Sequence, residues 1–272
     1  MARPLILLSN DDGWNAHGLR LLAVELERFA DVVVCAPERD QSATSHALTL
    51  TTPLRLRRVS ERVFALDGTP ADCVYVALHS GTKILPGAPT AVVSGMNHGP
   101  NLGVDVMYSG TVAAAREAAH RGIPAVAVSA DARADAPAAA ALGARVVAAL
   151  LAELGTSKTE FSSALGTRAA DGAPPPPLLN VNVPPGERWE LAATRLGRRR
   201  YEDDVVYRKD PRDREYLWIG GSRVRHDTES GTDTAAYEAG IASVTPLGLD
   251  VFCLAHQPLA EAVTRLPGQS GP

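Results

Sequence analysis

The chain has 272 residues, enough to bury one large core or two smaller ones, and its 45% apolar content is that of an ordinary soluble globular protein. A net charge of −4 argues against a general nucleic-acid binder. No apolar stretch is expected to reach the ~20 residues of a membrane span, so neither a nucleic acid nor a membrane is expected as partner.

Leu5-Ile6-Leu7-Leu8 is a short apolar run without polar alternation, the pattern of a strand buried on both faces. It runs into Ser9-Asn10-Asp11-Asp12-Gly13, which is good turn chemistry and also places two carboxylates side by side. Such a pair repels itself unless a cation sits between its members, and oxygen-only ligands point to a hard ion. Leu19, Leu22, Ala23, Leu26 and Phe29 then recur at helical spacing, and Val32 to Ala36 is a second buried strand. Strand, helix and strand within some thirty residues make a βαβ unit.

Glu38 to His46 is a polar loop containing Ser42. Leu48, Leu50, Leu54 and Leu56 alternate with polar residues and predict a half-exposed strand or hairpin, with Val63 to Leu66 as its successor. Thr69-Pro70-Ala71-Asp72 is a helix start, with Thr69 as N-cap and Pro70 in the first position, and the helix should run to His79. Thr90 to Ser94 is the next buried strand. It leads into Gly95-Met96-Asn97-His98-Gly99-Pro100-Asn101-Leu102-Gly103, a loop rich in glycine and asparagine.

Ser109-Gly110-Thr111 opens a helix from Val112 to Arg121; by itself such an opening reads first as an ordinary cap, and it also suits an anion site. Ala125 to Ser129 is a further central strand, and about Asp135 to Leu154 an alanine-rich helix. Gly155 to Pro177 is expected to be an exposed, mobile connection before a strand over Leu178 to Val183.

From Pro184 the pattern turns polar and alternating, without βαβ rhythm. Arg198, Arg199 and Arg200 read as a solvated surface run, Gly231-Thr232-Asp233 as a turn, and Ile241 to Thr245 and Val251 to Leu254 as strands. Residues from Pro267 are expected to be disordered. Cys35, Cys73 and Cys253 lie in apolar surroundings without zinc spacing and read as buried free thiols in a reducing compartment. Met1-Ala2-Arg3 leads straight into a strand rather than a signal peptide, so a cytoplasmic protein is expected.

Three loops follow three buried strands, and in a parallel sheet all three leave one edge, where open α/β folds place ligands. Asp11, Asp12, Ser42 and Asn97 can therefore converge as oxygen donors for a divalent cation, with the Ser109-Gly110-Thr111 helix start holding a phosphate beside it. Metal-assisted phosphoester hydrolysis follows from that pairing. His46 and His98 are candidates to return a proton to the leaving oxygen, though a surface or capping role suits each as well. A non-catalytic nucleotide-binding oligomer remains the competing reading, since it would keep the anion-binding helix without needing the Asp pair.

These residues resemble the SurE family, the survival-protein-E nucleotidases. The matching pieces are Leu8 to Gly13, Ala36-Pro37 with Gln41-Ser42, Gly68 to Cys73, Ser94 to Gly103 and Tyr108 to Ala115, with fainter similarity to about residue 254. The resemblance implies a divalent-metal-dependent phosphatase of nucleoside 5′- and 3′-monophosphates, with short-chain polyphosphate as a further substrate in some members. The chemistry itself makes Asp11 and Asp12 the catalytic candidates, since either could orient the attacking water. By the resemblance, one Mg²⁺ or Mn²⁺ per subunit would be held by Asp11, Asp12, Ser42 and Asn97, and the phosphate by Asn101, Ser109, Gly110 and Thr111. The resemblance further implies an α/β fold with a Rossmann-like, mostly parallel sheet over residues 1–183, a β-rich extension over 184–256 that packs on the body and a partner subunit, a tail over 257–272, and a homodimer or homotetramer. Ala43 stands where the family commonly has glycine, His17 where it has proline and His46 where it has a small polar residue.

Overall fold

The computed structural model describes residues 3–156, 174–201, 205–219 and 224–264. Its first half runs β1 (Leu5–Ser9), α1 (His17–Glu27), β2 (Asp31–Pro37), β3 (Leu56–Arg58), β4 (Val63–Leu66), α2 (Pro70–His79), β5 (Ala91–His98) and α3 (Gly110–His120). The second half runs β6 (Ala125–Ala130), α4 (Ala136–Thr156), β7 (Leu178–Val183), β8 (Leu191–Ala193), β9 (Arg199–Tyr201), β10 (Val205–Lys209), β11 (Glu215–Ile219), β12 (Val224–His226), α5 (Asp233–Glu238), β13 (Ala242–Pro246) and α6 (Gln257–Val263).

Nine strands form one sheet in the order β3-β4-β2-β1-β5-β6-β7-β13-β8. The strands from β4 to β7 are mutually parallel, while β3 and β13 join their neighbours β4 and β7 antiparallel. The apolar runs Leu5-Ile6-Leu7-Leu8 and Val32-Val33-Val34 are central because both their faces are covered. On one face lie α1 and α4, with Leu19, Leu22, Leu26, Leu142 and Val147 buried against Ile6, Leu8 and Val128. On the other lie α2 and α3, with Val74, Ala77, Val112 and Ala118 against Leu7, Val33 and Val92. Each fully buried leucine contributes about 2 kcal/mol of apolar transfer free energy.

The start of α2 follows from three residues. Thr69 Oγ1 accepts from the Asp72 N–H at 3.1 Å and the Asp72 carboxylate accepts from the Thr69 N–H at 2.9 Å, a reciprocal cap with Pro70 at the first helical position. Asp72 also accepts from Thr49 N and Oγ1, at 2.9 and 2.6 Å. That pair of bonds holds the segment before β3 as an irregular strap, so the hairpin expected over Leu48 to Leu56 reduces to the three residues of β3.

Other expectations are corrected. Twenty residues of α4, Ala136–Gly155, are long and apolar enough to cross a membrane by length and composition, contrary to the sequence reading. Ala139, Ala140, Leu142 and Val147 of that helix are buried against the sheet, so one of its faces packs on the core. Thr232 caps the short helix α5, its side chain accepting from Ala235 N, where only a turn was expected. Val251 to Leu254 forms no strand: Phe252 N donates to the Asp250 carboxylate in a local turn, and α6 follows within the expected tail. Cys253 is exposed, whereas Cys35 and Cys73 are buried free thiols. The sheet does not end at residue 183 either, because β8 and β13 complete it from beyond that point. The connection expected over 155–177 begins inside α4, and both its centre and the residues from Pro267 lie outside the described residues.

Candidate active site

β2, β1 and β5 are adjacent and parallel, so the loops after them leave one edge. Backbone bonds then join the loops. Gln41 N donates to Asp11 O at 2.8 Å, Trp14 N to Pro37 O at 2.9 Å, and Ser45 N to Tyr108 O at 3.0 Å. Asn10 closes its own turn by donating to Gly13 O, where φ is 101° and glycine is required. The pairing of β5 with β6 shifts between Gly95 and Asn97, a bulge that re-aims the end of the strand. Gly95, at φ 134°, lies so close to β6 that a Cβ there would stand 2.2 Å from Val128 O.

A cavity of about 970 Å³ opens at this edge, and Asp11, Ser42, Asn97, Asn101 and Ser109 line it. Asp12 faces an adjoining cavity of about 420 Å³ that shares Asn97 and His98, so the Asp pair straddles the end of β5. Both neutral donors are oriented by hydrogen bonds that they donate. Ser42 Oγ donates to Asp40 at 2.6 Å and Asn97 Nδ2 to Gly99 O at 2.7 Å, which leaves oxygen lone pairs for a cation. Asp12 Oδ2 accepts from His98 N at 3.3 Å.

Asp11 is buried, and burial, reinforced by the charge of Asp12, pushes its carboxyl up to about 6 against the pull of the Thr111 hydrogen bonds. Burial likewise raises Asp12, opposed by its His98 contacts. Two carboxylates raised in this way and set beside neutral oxygen donors are the donor set of a hard divalent ion. Among the described residues no three of His, Cys, Asp and Glu cluster, so a cation held here would take the oxygens of Ser42 and Asn97 beside the two carboxylates.

Thr111 was expected at the phosphate, but the structure commits both its donors to Asp11. Its backbone N–H meets Oδ2 at 3.0 Å and its hydroxyl meets Oδ1. The helix start still offers an anion the Gly110 N–H and the Ser109 hydroxyl hydrogen, since Ser109 Oγ accepts from Val112 N. Asn101 is built into a network: its Nδ2 donates to Ser129 Oγ at 2.8 Å, and its backbone is held by Asn180 and Asn182. Removing the Thr111 hydroxyl in Thr111→Val is therefore expected to weaken Mn²⁺ binding at least as much as nucleotide binding. Isothermal titration of each ligand separately checks this, and a loss confined to the nucleotide would overturn it.

Sequence reasoning passed over several of these residues. Asn180 and Asn182 are buried in a strand, and two asparagines within an otherwise apolar run were the signal available. Arg199, read as a solvated cation, is half-buried and ion-paired with Asp105, and it also donates to Pro100 O. Tyr201 OH donates to the same carboxylate at 2.6 Å, and burial with that bond pushes the phenol up to about 12. These contacts span more than ninety residues and left no local pattern. Of the two histidine candidates only His98 lines this cavity, while His46 faces a separate one between α2 and α3.

A mostly parallel α/β sheet with paired carboxylates and a helix N-terminus at its carboxyl edge defines a Rossmann-like protein with a candidate cation and anion site. The family model described as Survival protein SurE matches residues 6–203, and the chain belongs to that family. It is 57% identical over 258 residues to the 5′-nucleotidase SurE of Sorangium cellulosum, covering 95% of each chain. It is 49% identical over 248 residues to the 5′-nucleotidase SurE of Anaeromyxobacter dehalogenans (strain 2CP-C), covering 90% of each. The crystal structure of the SurE protein from Aquifex aeolicus superposes with a TM-score of 0.77 at 33% identity, covering 96% of this chain and all of that one.

Proposed function

We propose that the protein is a nucleotidase that hydrolyses nucleoside 5′- and 3′-monophosphates to nucleoside and phosphate. The observation that carries this reading is the meeting of Asp11, Ser42 and Asn97 with the start of α3 on one cavity. Asp11, Asp12, Ser42 Oγ and the Asn97 carbonyl would hold one Mg²⁺ or Mn²⁺ per subunit. When bound, that ion neutralises phosphate charge and acidifies water. Gly110 N–H and the Ser109 hydroxyl hold phosphate oxygens at the positive end of the helix. Asn101, pinned by Ser129 and Asn182, fixes the loop that faces them. Asp12 orients the attacking water, the bond from phosphorus to the ester oxygen breaks as the water oxygen bonds to phosphorus, and the proton that the water loses ends on the leaving nucleoside oxygen. Short-chain polyphosphate is a further substrate under the same proposal. A nucleotide panel assayed for phosphate release is expected to lose activity with EDTA and regain it with Mn²⁺ or Mg²⁺. Undiminished turnover after exhaustive chelation would overturn the metal assignment, and no release from any nucleotide would overturn the function.

Under the same proposal the protein is cytoplasmic and forms a homodimer or homotetramer. The antiparallel hairpin of β10 and β11 leaves Tyr207, Trp218 and Ile219 exposed at 68%, 64% and 85%. A two-stranded ribbon with apolar side chains in water is unstable alone and suits burial between subunits. Light scattering is expected to show a multiple of 28.6 kDa, and a lone monomer at micromolar concentration would count against assembly.

A further inference from the structure

The loop carrying Ser42 holds an unusual backbone. Ala43 and Ser45 adopt left-handed conformations, with φ 58° and 54°, which non-glycine residues keep only where the surroundings impose them. Ser45 supplies two ties to the segment before α3: its N–H donates to Tyr108 O at 3.0 Å and its hydroxyl to Met107 O at 2.7 Å. A further long-range tie is His46, whose Nε2 lies 2.9 Å from Glu117 Oε2.

Glu117 is 3% exposed and sits in α3, seven residues beyond Gly110, or about 10 Å along the helix. Its other oxygen is taken by Arg121 at 2.9 Å. Burial pushes the Glu117 carboxyl up, but the hydrogen bonds from His46 and Arg121 outweigh it and hold the group below its usual range. The carboxylate is thus a charged acceptor fixed on a rigid element. The His120 ring stacks on His46 with centroids 5.6 Å apart, which limits how the imidazole can turn.

We propose that His46 is a positioning residue. By donating to Glu117 it latches the Ser42 loop onto the helix whose first turn receives the phosphate, and so fixes Ser42 relative to that turn. The inference rests on the reading of Ser42 as a cation donor. His46 does not line the cavity that contains Asp11 and Ser42, so it acts through the loop rather than on substrate.

The test uses the full chain with His46→Ala and His46→Gln. Glutamine offers an amide N–H at similar reach and can still donate to Glu117. Hydrogen exchange of the Ser42 and Ser45 amides, Mn²⁺ affinity from the spectroscopic signal of the free ion, and the melting temperature are measured together. His46→Ala is expected to speed exchange at both amides about tenfold and to weaken Mn²⁺ binding by a similar factor, through loss of a hydrogen bond to a charged acceptor. His46→Gln is expected to restore both. A lower melting temperature with unchanged exchange and Mn²⁺ affinity would make His46 a packing residue and overturn the proposal. If the parent binds no Mn²⁺ but His46→Ala still speeds exchange at Ser42, the latch stands and the metal reading falls.

Discussion

Asp11→Asn is expected to lower nucleotide hydrolysis about a thousandfold or more, since charge neutralisation and water activation both depend on the ion this carboxylate would hold. The fold should survive. Asn Oδ1 can accept from Thr111 N, and Asn Nδ2 can donate to the Thr111 hydroxyl, so the contacts that Asp11 makes are replaced. Without metal the variant should be the more stable protein. The Asp11 carboxyl is held up to about 6 in the fold against its ordinary 3.8, so the native state favours its neutral form. That preference supports the fold below pH 4 and is lost as the pH rises through 6. Parent and variant should therefore melt alike at about pH 4, and the variant should lead by up to about 3 kcal/mol at about pH 8. Adding Mn²⁺ at the higher pH should reverse the order, because an ion that binds only the native parent stabilises it by linkage. Melts at both pH values with and without Mn²⁺ decide the matter, and a parent indifferent to saturating ion would sink the site assignment.

What the sequence made legible was local. Leu5 to Leu8 and Val32 to Val34 announce central strands because burial on both faces removes polar alternation. The α2 boundary could be placed because Thr69, Pro70 and Asp72 each have one mechanical reason to stand there. Strand polarity alone predicts that the loops carrying Asp11, Ser42 and Asn97 leave one edge of the sheet, and the three residues line one cavity. What stayed hidden depends on partners distant in sequence. Nothing near Thr111 tells that its hydroxyl meets Asp11, one hundred residues earlier. Nothing near Arg199 tells that Asp105 awaits it. The strap tied by Thr49 to Asp72 likewise overrode an alternating pattern that looks like a hairpin. Local periodicity reports which face is buried, and it does not report which distant polar group a side chain will meet.

Distant packing also decides the outcome at Gly110, and Gly110→Ala gives the second large effect. Gly110 opens α3, and its backbone needs no left-handed conformation, so local propensity alone would favour alanine by up to about 1 kcal/mol. Tertiary contact argues the other way. A Cβ at Gly110 would stand 2.8 Å from Asp11 Cβ and 3.0 Å from both Asp11 Oδ2 and Pro70 Cγ. None of the three yields easily: Asp11 is 4% exposed and clamped by Thr111, and Pro70 is a rigid ring at the first position of α2. The relief available is a shift of the Asp11 carboxylate or of the first turn of α3, on the order of an ångström. Misplacement of that size costs about a hundredfold in rate, and here it separates the proposed cation donor from the phosphate cradle. We therefore expect kcat/KM for nucleoside monophosphates to fall about a hundredfold, with weakened Mn²⁺ binding and a loss of a few degrees in Tm. Gly155→Ala, in the last turn of α4 with nothing within 4 Å of where its Cβ would stand, is the control and should leave activity intact. Full activity in Gly110→Ala would mean that Asp11 and the α3 start need not be held at this distance, and the shared-site geometry would have to be abandoned.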